Sequence, residues 1–313
     1  MSYVDWHREM LADKRRVCAF AQAVRQAVRP GEVVADVGTG TGLLAMVAAR
    51  AGAGQVFAID RGPIIEVARQ IAADNGLAER ITFLRAEARD LRLPERADLV
   101  VGEIIGSFGV EENILEVFTE CRQSLLKAGG RLLPDRLDLC VAPTSIGSEL
   151  VTWTATLSRD LGLDLRALEA MARHTPAGMR AGREHLLAPG EIGLVIDLAH
   201  ERPDLPEGES HFTVRRPGRM CGLLGWFMAV HQGRALHSTE PPNRGSSWAN
   251  TFLPTGDPVE VEAGQKVAVK LGYDDPFLSW EIEVEGHEAR AFHQFRGVPA
   301  DELLPSDGEA ANT

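Results

Sequence analysis

The segment from Val33 to Gly42, which reads VVADVGTGTG, constrains the fold more than any other stretch of the chain. Its first five residues are mostly apolar and read as a short buried strand, and glycines at 38, 40 and 42 follow at once. Glycine there lets the backbone turn sharply and lets a ligand lie against bare amides. A tight strand-to-helix turn needs glycine in any case, so the loop is either a cofactor cradle or a bare turn. The next apolar run, residues 55–59, is followed by Asp60, 18 residues past Gly42. A carboxylate at that strand end accepts hydrogen bonds from both hydroxyls of a ribose. It also serves as a plain strand-end cap.

The surrounding pattern extends this unit. Helical periodicity covers 11–28, 43–51, 64–75 and 112–126, and apolar runs lie at 33–37, 55–59, 81–84, 97–101 and from 131. Strands alternating with helices at this spacing predict a parallel sheet with helices on both faces. The composition changes near residue 142. A helical stretch at 161–173 is followed by apolar runs at 193–198, 220–230, 259–261, 266–272 and 278–284, punctuated by Pro, Gly and polar turns. These predict an antiparallel β domain of sandwich or barrel type. The expected organisation is a helical segment over 1–30, the glycine-loop domain over 31–141, the β domain over 142–298 and a polar, frayed tail over 299–313.

Charge narrows the partners. The formal net charge of the 313 residues is −12, which argues against a nucleic-acid clamp and favours small molecules or a cationic partner. No stretch of about 20 apolar residues is present to span a membrane. The opening MSYVDWHREM lacks the apolar run of a signal peptide. Cys18, Cys121, Cys140 and Cys221 lie far apart and read as reduced thiols of a cytoplasmic protein. No metal-ligand spacing is visible among the nine histidines.

Three ligand readings compete: a dinucleotide, S-adenosylmethionine, or a binding module that keeps the fold without chemistry. The dinucleotide fingerprint GxGxxG fails, because Leu43 stands where its third glycine belongs. Asp36 precedes the glycines, and DVGTGTG over 36–42 resembles motif I of class I S-adenosylmethionine-dependent methyltransferases. That resemblance implies that Asp36 organises the loop near the methionine end. It also implies that Glu87, in the AEA of 86–88, contacts the adenine amine; read alone, Glu87 is equally a solvated loop carboxylate.

After the fourth predicted strand comes VVGEIIGSFGVEEN, residues 100–113. Strand C-terminal ends of open α/β sheets are where ligands bind. Glu103 and Glu112 are nine residues apart with Gly106 and Gly109 between them, so the loop can fold back and aim both carboxylates at one pocket. Like charges held together in a dry site suit a cation with several N–H donors, and the planar fork of a guanidinium matches a carboxylate. The plain alternative places Glu111 and Glu112 in the first turn of the next helix, where negative charge is stabilised.

This loop resembles the double-glutamate loop of protein arginine methyltransferases, and GEIIGSF over 102–108 most resembles the branch that makes symmetric dimethylarginine. WHREMLADKRR over 6–16 resembles the N-terminal helix motif of that family. RLLPDR over 131–136 resembles the strand leading out of its nucleotide domain. Ser246-Ser247-Trp248, with VEVEAGQKV over 259–267, resembles its Thr-His-Trp loop and following strands. The likeness covers roughly residues 3–285. It implies a Rossmann-like class I methyltransferase domain followed by an antiparallel β-barrel, S-adenosylmethionine as cofactor, no metal, and a homodimer built through an arm within 150–220.

The roles it implies are these. Arg16 pairs with the methionine carboxylate, Asp36, Gly38 and Gly40 line the methionine end, Asp60 holds the ribose and Glu87 the adenine. Glu103 and Glu112 clamp the guanidinium, while Met10, Phe108, Ser247 and Trp248 surround the acceptor. Read without the resemblance, Lys14, Arg15 and Arg16 form a solvated helix face, and Met10 is a core residue. One departure stands out: Ser247 replaces the loop histidine that would pair with Asp13, which weakens any His–Asp proton relay. The implied acceptor is an arginine-containing protein, with free arginine or another guanidino metabolite as the alternative.

Overall fold

The computed structural model describes residues 3–152, 154–200, 206–274 and 277–293. The expected tail over 299–313 lies outside them. Two helices open the chain, α1 (Tyr3–Ala12) and α2 (Lys14–Ala27). The periodicity that predicts one helix over 11–28 is interrupted at Asp13. Its Oδ1 accepts the amide of Arg16 at 3.0 Å and so caps a new helix.

The first domain then alternates β1 (Val33–Val37), α3 (Leu43–Arg50), β2 (Gln55–Asp60), α4 (Ile64–Asp74), β3 (Ile81–Arg85), β4 (Ala97–Gly102), α5 (Ile114–Ser124) and β5 (Leu126–Leu133). All pairings are parallel, in the order β3-β2-β1-β4-β5. Every residue of β1 is buried, which is why its apolar run shows no alternation. From β1 the chain winds outward through β2 and β3, then returns to lay β4 on the other side of β1. That reversal opens a crevice at the C-terminal ends of β1 and β4, where Val37 is level with Gly102. The glycine loop and the Glu103 loop both leave from this point.

The second domain begins with β6 (Arg136–Thr144). The expected boundary after 141 falls inside this strand, which pairs along its length with strands of the second sheet. The helices α6 (Glu149–Thr152), α7 (Thr154–Leu161) and α8 (Arg166–Ala172) follow. The single helix predicted over 161–173 is split. Gly162 turns at φ +63°, and Asp164 Oδ1 accepts the amide of Arg166 at 3.0 Å.

The remaining strands are β7 (Ala177–Met179), β8 (Glu191–Asp197), β9 (Glu207–Thr213), β10 (Gly218–His231), β11 (Arg234–Ser238), β12 (Asn250–Val261), β13 (Lys266–Asp274), β14 (Phe277–Val284) and β15 (Arg290–His293). They form two antiparallel sheets, β7-β12-β10-β6-β8, with β11 on β10, and β15-β14-β13-β9. The sheets close on each other at β8 and β9, where Gly208 lies so near the Gly193 carbonyl that a Cβ there would collide with it. One continuous apolar core joins both domains, from Val34 and Leu99 through Phe108 to Phe227 and Leu253. No described helix is long and apolar enough to cross a membrane.

Candidate active site

The site grows from the end of β1. Gly38, Gly40 and Gly42 turn at φ +71°, +52° and +78°, conformations that L side chains rarely adopt. Asp36 braces this loop from inside. It is 2 % exposed, and its Oδ2 accepts the Thr39 hydroxyl at 2.6 Å and the Ala45 amide at 2.9 Å. Burial pushes its carboxyl up to about 7 against those two donors. Asp36 thus shapes the loop rather than facing an open site.

Asp60, at the end of β2, accepts the amides of Gly40 at 2.9 Å and Gly62 at 2.7 Å. Glu87 follows β3 beside it, since the Ala86 amide donates to the Asp60 carbonyl at 3.2 Å. Its carboxylate is half-exposed and lies 3.4 Å from Arg61. His7 of α1 closes the open side of the loop, and a Cβ on Gly40 would lie 3.6 Å from its ring. Burial lowers the His7 pKa, opposed by the charge of Asp60. Sequence reasoning noticed His7 only as one of nine histidines; its neighbourhood depends on how α1 lies over the glycines.

The loop after β4 folds back as expected. Gly106 and Gly109 bridge, with the Gly109 amide donating to the Gly106 carbonyl at 3.0 Å. In the plain alternative Glu111 does no more than start the next helix. Its carboxylate instead accepts the Phe108 amide at 2.8 and 3.0 Å, and only a glycine at 106 leaves room for it. Helix α5 starts beyond the glutamates, at Ile114, after Asn113 turns at φ +58°. Phe108, expected at the acceptor pocket, is fully buried, with its ring filling the hollow that Gly225 leaves in β10. It anchors the loop to the second domain.

Glu103 and Arg16 form the centre. Glu103 Oε2 accepts from Arg16 through Nε at 2.7 Å and through Nη2, and both side chains are 12 % exposed. Arg16 also donates to Ser247 Oγ at 3.1 Å and Met10 Sδ at 3.4 Å, and its guanidinium lies 4.2 Å from the centre of the Trp248 ring. The solvated face expected of Arg16 from its basic neighbours is therefore not where it points. Glu103 Oε1 is buried with no hydrogen-bond partner among the described residues. Burial pushes the Glu103 carboxyl up to about 7 against the Arg16 charge, and Glu112 and Asp36 push it further up. Burial likewise raises Glu112, opposed by Arg16 and Arg61. The two glutamates therefore feel each other and share one cation.

The far wall comes from the second domain. Trp248 is buried, and its Nε1 donates to the Ile105 carbonyl at 2.7 Å. Ser247 keeps the link to Asp13 without a histidine, for its amide and hydroxyl lie 2.8 and 3.3 Å from Asp13 Oδ2. Burial favours the neutral Asp13 carboxyl, but the amides of Arg16 and Ser247, the Ser246 hydroxyl and nearby His237 hold it below the usual range. His237, on β11, packs 5.3 Å from the Trp248 ring and was not singled out from the sequence, where it is one histidine in a short strand. The glycines at positive φ, the two carboxylates at adjacent strand ends and the orphaned Glu103 oxygen fit an adenosyl sulfonium donor beside a cationic acceptor. Among the described residues no cluster of metal-ligating side chains occurs.

Comparison with known proteins decides the family. An arginine N(omega)-methyltransferase of Streptomyces achromogenes subsp. streptozoticus is 31% identical over 278 residues, covering 86% of this chain and 76% of that protein. The chain belongs to the arginine N-methyltransferase family. A family model described as ribosomal protein L11 methyltransferase (PrmA) matches residues 17–133, the helix and parallel-sheet portion. A probable histone-arginine methyltransferase 1.3 of Arabidopsis thaliana is 29% identical over 84% of this chain, which spans about half, 52%, of that relative. The fold matches that of the Trypanosoma brucei PRMT1 enzyme-prozyme heterotetrameric complex with AdoHcy. The TM-score is 0.83 at 21% identity, covering 92% of this chain and 98% of that one. The protein is an S-adenosylmethionine-dependent arginine N-methyltransferase.

Proposed function

We propose that Glu103 and Glu112 clamp the guanidinium of an arginine in the crevice between the ends of β1 and β4, and that Trp248 and Ser247 wall it from the other side. The observation that carries this reading is Glu103 Oε1, a buried acceptor that lacks a donor while its twin oxygen holds Arg16. A buried unpaired carboxylate oxygen costs free energy that a guanidinium N–H would recover. Gly38 and Gly40, shaped by Asp36, would hold the methionine end of the cofactor, Asp60 the ribose and Glu87 the adenine. Arg16, with four of its N–H groups engaged here, would turn a remaining one to the methionine carboxylate. S-adenosylmethionine supplies an electrophilic methyl group.

The chain's own work is positioning and charge. An arginine guanidinium is protonated at neutral pH, with a reference pKa above 12. Carboxylates on two of its nitrogens draw the positive charge there and leave the third more nucleophilic. Holding that nitrogen in line in a dry site lowers the barrier by removing the search for orientation. The nitrogen that gains the methyl loses one proton, which leaves through Glu112 or Glu103 to water.

The acceptor we assign first is a protein-bound arginine. Beyond the clamp, Glu120 on α5 feels the charges of Glu116, Glu87 and Asp90 against the single cation Arg89, a mostly acidic patch suited to a basic peptide. Free arginine is the second reading, favoured by the bacterial relative named for arginine alone. Transfer of labelled methyl to a glycine-arginine peptide and to free L-arginine, with mass analysis of the products, separates them. Transfer to neither refutes the clamp.

The cytoplasmic assignment is supported by the four cysteines, all unpaired. A homodimer is supported by Leu157, Leu161, Leu163 and Leu168, exposed on and between α7 and α8, and by exposed Trp6, Leu11 and Val67 on α1 and α4. Light scattering at micromolar concentration is expected to give twice the chain mass, and Leu161→Asp to give the monomer. A wild-type monomer refutes the dimer.

A further inference from the structure

We infer that Arg180 is a positioning residue for the acceptor clamp, fixing the loop that carries Ser247 and Trp248 to the segment that leaves the helical arm. The inference rests on the clamp reading above and adds to it a residue that touches neither acceptor nor cofactor.

Residues 239–249 connect β11 to β12 with little regular structure of their own. On the inner side the connection is held by Asp13 at Ser247 and by the Ile105 carbonyl at Trp248 Nε1. Its carbonyls face the other way. Those of Ser246, Trp248 and Asn243 all accept from the Arg180 guanidinium, at 2.8, 3.2 and 3.3 Å. Asn243 Nδ2 shares the Trp248 carbonyl at 2.9 Å. A planar guanidinium presents five N–H donors in a rigid fork, so one side chain fixes the relative positions of three peptide groups. Charge-assisted bonds of this kind are about twice as strong as neutral ones.

The place of Arg180 in the chain gives the contact its meaning. α6, α7 and α8 lead into β7, which pairs antiparallel with the start of β12, Met179 level with Asn250. Arg180 is the next residue and comes level with the end of the Trp248 loop. Three residues on, Arg183 Nε donates to the Pro241 carbonyl at 2.8 Å and its Nη2 pairs with Glu240 at 2.9 Å. The strand that ends the arm is thereby bound twice to the loop walling the clamp. Trp248 in turn carries the Arg16 guanidinium on its ring, and Arg16 holds Glu103. Removing the Arg180 fork takes the donor from the Ser246 and Asn243 carbonyls, while Arg183 still holds only the start of the loop, at Glu240 and Pro241. The Trp248 ring then has freedom to shift, and with it the Arg16–Glu103 pair. The glycine loop, Asp60 and Glu87 make no contact with Arg180, so cofactor affinity changes only through Arg16 and stays close to wild type.

The test is steady-state methyl transfer on the full chain with Arg180→Ala and Arg180→Lys, alongside calorimetry with S-adenosylhomocysteine. Arg180→Ala is expected to lower kcat at least tenfold, with acceptor KM and cofactor Kd each within threefold of wild type. Arg180→Lys keeps the charge but not the fork and is expected to recover part of the loss, with kcat still at least threefold down. Amide exchange is expected to quicken at 243–248 and stay unchanged at 36–42. A purely structural role predicts a lower Tm with unchanged kcat per folded molecule, and that result overturns the proposal. Should Arg180→Ala not fold, the lysine variant decides, and wild-type kcat in it overturns the proposal. Glu103→Gln in the same assay separates the two layers. If it abolishes turnover while Arg180→Ala does not, Arg180 alone is wrong; if it leaves turnover intact, the clamp is wrong.

Discussion

Replacing Glu103 by Gln removes one negative charge and keeps the length of the side chain and one acceptor oxygen. In the free enzyme Oε2 holds Arg16 through Nε at 2.7 Å and through Nη2, and Oε1 has no partner among the described residues. In the proposed clamp, Oε1 takes a guanidinium N–H once the acceptor is bound. A hydrogen bond to a charged group contributes about 1.5–3 kcal/mol against about 1 kcal/mol for a neutral pair, so the acceptor bond weakens by about 0.5–2 kcal/mol. The pull of a carboxylate on charge leaving the reacting nitrogen acts in the transition state and adds about 1 kcal/mol more. The side chain is 12 % exposed, so solvent screens little of this. About 1.5–3 kcal/mol at 1.36 kcal/mol per decade lowers kcat roughly 13- to 160-fold. Label transfer at saturating acceptor measures it. Calorimetry with S-adenosylhomocysteine is expected to give a Kd within threefold of wild type, because Asp36, Asp60 and the glycines are untouched. A kcat within threefold of wild type would refute the clamp.

Further expectations follow from the same geometry. The carboxyl of Glu103 titrates at about 7 when folded against an ordinary 4.5, so the anion that the clamp needs forms as pH rises through 7, and kcat/KM is expected to rise with it. A bound guanidinium favours the anion, so the limb in kcat lies at lower pH than that in kcat/KM; a flat profile from pH 6 to 8 contradicts this. The same shift makes folding less favourable as pH rises from 4.5 to 7, so thermal melting of Glu103→Gln at pH 8 is expected to show no loss of Tm. Gly38→Ala places a side chain at φ +71° and against Ile104 Cγ2. About 1–2 kcal/mol of strain is expected, with cofactor Kd raised about tenfold, and an unchanged Kd counts against the glycine loop as the cradle. Gly225→Ala brings a Cβ to 2.6 Å from Phe108. Melting is expected to show about 1–3 kcal/mol of destabilisation, and a wild-type Tm refutes that packing.

The sequence disclosed most where a residue's job is set by its near neighbours. β1 runs from Val33 to Val37 as the apolar run predicts, and the glycines after it turn at positive φ. The fold-back between Glu103 and Glu112 was readable because Gly106 and Gly109 are a local necessity. Boundaries failed where a side chain intervenes. Asp13 divides a helix that periodicity continues, and Asn113 delays α5 past both glutamates. The run through 136–144 was hidden because it follows the last parallel strand after two residues, and only pairing with β8 and β10 assigns it to the second domain.

Arg16 shows why the remainder was illegible. Beside Lys14 and Arg15 it reads as one of three cations on a wet helix face, yet it is the one turned inward. Its direction is set by partners 87 and 231 residues away, Glu103 and Ser247, which no local pattern connects. Ser247 in turn looks like a lost histidine until Asp13 is found on its amide, where any residue but proline would serve. The backbone bond keeps the two domains joined at the clamp after the side chain has changed. Loss of the histidine therefore removes a possible proton route and leaves the positioning intact. That is the division expected of a reaction driven chiefly by where a nitrogen and a methyl are held.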